Sequence, residues 1–229
     1  MNKDIWQKFI KFILILIIYI FYGKIIGSIF SLIGINGIFS SFFSDIIFFI
    51  GIVWFYKDNL KQDYKKYREY TLKEKGKILF KNLGLVFLVF LFMGILTEIF
   101  LPDAANVGTE NNQMITSLFG TSLLYTLFKT LIFATIAEEL VFREAMSEIV
   151  TNKKLLVIIS SFIYAVMNVI YGDLTNTFLW LDFVQYFLFY IILSMAYVKY
   201  DYNIFVPISI KFIYNLFQTI LLVLISIVG

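Results

Sequence analysis

Runs of about twenty apolar residues follow one another along the chain with short polar joints between them, and this pattern limits the fold more than any other feature. Runs of that length, wound as helices, match a hydrocarbon core ~30 Å thick. In lipid the backbone must be satisfied within the protein, so only helices or closed barrels can span. The alternation of a barrel is missing, which leaves helices. With 60% hydrophobic and 20% aromatic residues among 229, the apolar surface also exceeds what one soluble domain can hide. The fold class expected is all-α: a polytopic transmembrane helix bundle of about seven spans, forming a single membrane domain over residues 1–229. No internal repeat and no low-complexity tract divides it.

Charge placement orients the bundle. Lys3, Lys8 and Lys11 precede a first span over residues 12–30; no small-residue cleavage site follows, so it reads as a retained helix rather than a signal peptide. Gly34, Asn36 and Gly37 make a turn, and the second span ends on the aromatic anchor Trp54, Phe55 and Tyr56. Residues 57–81 form a basic cytoplasmic loop, rich in lysine. It serves either as a topology determinant or as a patch for anionic lipid or an acidic partner. A third span covers 78–100. The segment with Pro102, Asp103, Asn106, Gly108, Glu110 and Asn111 carries acids and no Lys or Arg, as expected outside. A long helical stretch over 114–150 returns the chain to Lys153 and Lys154, and spans over 155–171, 178–198 and 205–228 complete the bundle, with an outer turn at Gly172 and Asp173. The Lys-rich joints then share the side of the N-terminus, the cytoplasmic one. Abundant Ile, Phe, Lys, Asn and Tyr point to an AT-rich genome, and the location expected is a bacterial plasma membrane, multi-pass.

Two absences narrow the chemistry. Without cysteine there are no disulfides or thiolates, and without histidine the commonest neutral metal ligand and general base is missing. The net charge of +3 is small and no basic stripe interleaves with aromatics, so nucleic acid is not an expected partner.

Against this background residues 131–149, LIFATIAEELVFREAMSEI, stand out: Glu138, Glu139 and Arg143 lie inside an apolar run. Ionisable groups at bilayer depth are expensive, face the bundle interior and mark functional sites by default. Counting at helical rise, Glu138 lies ~18 Å from Val150, Asn168 ~20 Å from Leu155, and Lys211 and Asn215 ~12 Å and ~18 Å from Asn203. These positions fit one layer. Glu139 with Arg143, Tyr164 with Asn168, and Lys211 with Asn215 are each i and i+4, sharing a helix face. Singly, Asn168 could be interhelical glue and Lys211 could snorkel to the inner surface. Jointly, their common depth and opposite charges point to a cluster.

These residues resemble the motifs of the CPBP intramembrane metalloproteases, also called the Abi or type II CAAX-prenyl-endopeptidase family. Glu138, Glu139 and Arg143 fit its EExxxR signature. Ser160, Ser161, Tyr164 and Asn168 align with its FxxxH motif, and Pro207, Lys211 and Asn215 with its HxxxN motif. The resemblance spans roughly 114–217, a CPBP/Abi-like core. It implies a helical bundle with a site open toward the cytoplasmic leaflet, in which the Glu138 position activates water while Glu139 and Arg143 shape the site. The two histidine positions would help hold metal or the oxyanion, and Asn215 would add a hydrogen bond. Here Asn168 and Lys211 replace both histidines. Asparagine lacks a basic imidazole, and a lysine cation has no lone pair for a metal. Lys211 is therefore expected to take the metal's electrostatic place, pairing with Glu138 or Glu139, with no metal and no cofactor bound.

The reading these expectations favour is a degenerate member, a pseudoprotease that binds or regulates another membrane protein or a peptide. Relatives of this kind are associated with bacteriocin self-immunity and with scaffolding of membrane kinases or cell-wall enzymes. The alternatives are an active endopeptidase using Glu138 as general base, and a transporter using the buried charges as an ion path.

Overall fold

The computed structural model describes residues 3–100, 117, 119–170 and 177–228 of the chain. The acidic outer segment expected around 102–111 and the turn at Gly172 and Asp173 lie outside the described residues. The described residues are helical with no strand, and the chain is an all-α polytopic membrane bundle.

Helix α1 (Lys3–Leu32) ends in a glycine stop. Gly34 sits at φ +82°, where the Ile35 N–H reaches the Phe30 carbonyl at 2.9 Å and the Gly34 N–H reaches Ser31 at 3.1 Å, satisfying carbonyls the helix would otherwise leave open. Helix α2 (Gly37–Phe55) packs back along α1. Helix α4 (Leu72–Phe100) opens on a reciprocal cap. The Thr71 N–H donates to the Glu74 carboxylate at 2.7 Å while Thr71 Oγ1 accepts from the Glu74 N–H at 3.3 Å.

The stretch expected as a basic loop is structured. Residues Lys57–Glu69 form a helix, α3, and α4 begins at Leu72, well before the expected start of the third span. The charge run masks the periodicity beneath it: Asn59, Leu60, Asp63, Tyr67 and Tyr70 recur at three- and four-residue spacing and make an inner face. Asp63 is buried there, accepting the Ile204 N–H at 3.0 Å, and burial pushes its carboxyl above the usual range despite that bond.

The long stretch expected over 114–150 is broken. It restarts at Leu123 behind a Ser122 cap, whose Oγ accepts the Tyr125 N–H at 3.3 Å, and it is helical to Ser147; residues 123–147 are called α5. Then follow α6 (Lys153–Val169), α7 (Thr177–Lys199) and α8 (Phe205–Val228). Among the described residues five helices, α1, α2, α4, α7 and α8, are long and apolar enough to cross a membrane. The other two expected spans, α5 and α6, are too interrupted or too short for that measure, yet they pack in the same bundle, α6 closely along α7.

Candidate functional site

Helix α5 owes its shape to two stretches of π-helix, Phe128–Ala137 and Leu140–Glu144, flanking the glutamate pair. Wide i→i+5 winding is rare and concentrates at functional sites, because it leaves carbonyls needing outside partners. Side chains supply them here. Thr135 Oγ1 donates back to the Thr130 carbonyl at 3.2 Å, and Asn215 of α8 donates Nδ2 to that carbonyl at 2.8 Å and to Thr135 Oγ1 at 3.1 Å.

Between the π-helical stretches Glu138 and Glu139 diverge toward different neighbours. Glu138 Oε2 accepts from Lys211 Nζ at 2.7 Å and from the Tyr164 hydroxyl at 3.1 Å, while its Oε1 faces the Tyr19 hydroxyl of α1 at 3.5 Å. Glu139 is fully buried and ion-paired to Arg143 one turn on. Its Oε1 accepts from Tyr190 at 3.0 Å and lies 3.3 Å from Lys211 Nζ. Lys211 thus sits between both carboxylates, donates to the Tyr190 hydroxyl at 2.8 Å, and lies near the stacked rings of Tyr164 and Tyr190. The guanidinium of Arg143 donates from Nε to Ser194 at 3.2 Å and from Nη2 to the Tyr190 carbonyl at 3.3 Å, with the Tyr190 ring 4.0 Å away. Ser160 and Ser161 of α6 close the network on Ser194 at 3.1 and 3.3 Å. Two acidic and two basic side chains thus face one another, the charge compensation a buried ionic group requires.

The six motif positions divide. Glu138, Glu139, Arg143 and Lys211 meet in the cluster. Asn168 donates to the carbonyl of Tyr164, one turn back on its own helix, at 2.9 Å. Asn215 braces the π-helix rather than the carboxylates. Of the four positions counted at α-helical rise, Glu138 and Lys211 meet directly, while Asn168 bonds within its own helix and Asn215 bonds to α5 just before the glutamates.

Tyr19, Tyr190 and Ser194 complete the site without being visible in any motif. A second buried pair lies outside every motif. Asp45, inside the apolar α2, accepts from Lys129 at 2.8 Å, from Tyr125 at 2.8 Å and from Tyr22. A charge within each of two apolar runs is the signal that would have found it.

A divalent metal does not suit the first site. An ammonium already bridges the carboxylates that would bind it, Glu139 is committed to Arg143, and lysine and arginine offer no lone pair. Among the described residues no three acidic side chains are grouped to hold an ion.

A polytopic helical bundle that carries a glutamate pair and an arginine on an inner helix invites comparison with intramembrane proteases. The family model described as type II CAAX prenyl endopeptidase Rce1-like matches residues 112–217, a stretch that contains Glu138, Glu139, Arg143, Asn168, Lys211 and Asn215. No curated protein and no solved structure matches the chain.

Proposed function

We propose that the chain keeps the Rce1-like fold without peptide hydrolysis, as a pseudoprotease of a bacterial plasma membrane that binds or regulates another membrane protein or a peptide. Bacteriocin self-immunity and scaffolding of a membrane kinase or cell-wall enzyme are the roles that fit such a protein. One observation carries the reading: Lys211 Nζ lies 2.7 Å from Glu138 and 3.3 Å from Glu139, where a hydrolytic centre needs a free base and a polarised water. Both oxygens of Glu138 face protein donors, and neither motif histidine exists to replace them.

The competing reading, an active endopeptidase with Glu138 as general base, draws on the 14% exposure its side chain retains. A cleft of about 330 Å³ lined by Tyr19, Tyr22 and Met167 lies on the same side, through Tyr19. A prenylated CAAX peptide incubated with the purified protein in detergent separates the two. No tripeptide release above that of the Glu138→Gln variant is expected. Release that disappears in the variant establishes the peptidase instead.

A further inference from the structure

Helix α3 touches both helices that carry the charge cluster. At its start Asn59 Nδ2 donates to Glu144 Oε1 of α5 at 2.6 Å, one residue beyond Arg143. In its middle Asp63 accepts the Ile204 N–H at 3.0 Å, and the Asp63 carbonyl accepts from Asn203 Nδ2 at 2.9 Å, both at the entry to α8. Toward its end the Tyr67 hydroxyl receives a hydrogen bond from Ser209 at 2.9 Å, two residues before Lys211. Rings of Tyr64 and Tyr67 pack on Phe205. The inner face of α3 is thus a bracket across the ends of α5 and α8.

Its outer face has a different chemistry. At 100° per residue Lys57, Lys61, Lys65 and Arg68 fall within an arc of about 80°, and all four are exposed. None of them forms an ion pair among the described residues; the α3 lysine that does is Lys66, with Asp63 at 3.7 Å. Large aromatics flank the stripe. Trp54 is 66% exposed with Lys57 Nζ 5.1 Å from its ring, and Tyr64 is 50% exposed with the Arg68 guanidinium 5.9 Å from its ring. Cations beside amphipathic rings at the end of a bundle match the boundary between headgroups and acyl chains.

We infer that α3 is a lipid-gated bracket: its basic stripe binds anionic phospholipid headgroups of the adjoining leaflet, and that binding holds the ends of α5 and α8 in the arrangement that pairs Lys211 with the glutamates. The occupant follows from charge complementarity, since a row of unpaired cations lies beside rings suited to the interface. Each cation is worth roughly fivefold in surface partition, so the row acts as a unit. A topology signal alone would need the charges but not the bracket.

Hydrogen exchange of the full chain in nanodiscs tests this, with phosphatidylcholine alone against phosphatidylcholine plus phosphatidylglycerol. Amides of α3 and of the first two turns of α8 are expected to exchange about tenfold more slowly in the anionic discs. Raised salt should erase the difference, as should the variant Lys57→Gln/Lys61→Gln/Lys65→Gln/Arg68→Gln, whose inner face is untouched. Equal exchange in the two lipids overturns the proposal. So does the same slowing in the variant, which moves the lipid contact elsewhere, or slowing confined to α3, which removes the bracket. Peptidase activity does not enter the readout, so this result stands apart from the pseudoprotease question.

Discussion

Lys211 shows how one side chain can settle the character of a buried site. Its nitrogen meets Glu138, Glu139 and the Tyr190 hydroxyl at once, and only 2% of the residue is exposed. Lys211→Ala is expected to cost about 3–5 kcal/mol, since removing one partner leaves an uncompensated buried charge. The melting temperature of the detergent-solubilised variant measures this. Adding Glu138→Gln should restore part of the loss, because Glu139 still has Arg143. If Lys211→Ala melts like the parent, the pairing carries no stability. The pairing could be read in outline before any coordinates: an ammonium standing where the motif places a histidine, beside two carboxylates in an apolar setting, has few other ways to be compensated. The exact partners could not, since Tyr190 and Ser194 lie on a helix with no motif, and aromatic or small residues in a span are uninformative alone.

At the level of elements, α5 departs most from its sequence pattern. Nothing in FKTLIFATIA announces π-winding, because the outside partner of the Thr130 carbonyl is Asn215, 85 residues away. Asn215→Ala should therefore act on α5 rather than on the helix that bears it. Leaving the carbonyl short of a partner costs about 1–3 kcal/mol, and amide exchange is expected to quicken around residues 130–137 more than around 215. Equal quickening in both places would mean that Asn215 merely stabilises α8. Helix α3 illustrates the converse failure. Its periodicity was present in the sequence, but a dense charge run hides a short inner face whose value depends on Asn203 and Ile204.

For the whole molecule, the succession of apolar runs was enough to place a helix in each of the seven expected spans, though not the break at Ser122, because length and hydropathy are local properties. Sidedness rests on lysine placement and can be checked directly, since the chain has no cysteine to interfere. Single replacements Lys66→Cys and Lys153→Cys should react with a membrane-impermeant maleimide only after permeabilisation of intact cells, while Asn111→Cys should react before it. Labelling of Lys66→Cys in intact cells would invert the topology. Two buried charge clusters, Asp45 with Lys129 and Glu138 with Lys211, tie α2, α5 and α8 together, and Tyr22 and Tyr19 of α1 reach one each.

The ammonium between the glutamates also has a consequence for descent. A histidine introduced alone by Lys211→His would replace a long ammonium that meets Glu138, Glu139 and the Tyr190 hydroxyl at once with a shorter ring of at most two donors, which cannot serve all three. A histidine introduced alone by Asn168→His would still meet a cation where a metal should bind. Each single step toward a histidine-bearing centre is uphill, and only a concerted change avoids the valley. The ion pair therefore works as a ratchet against regaining the motif histidines one at a time.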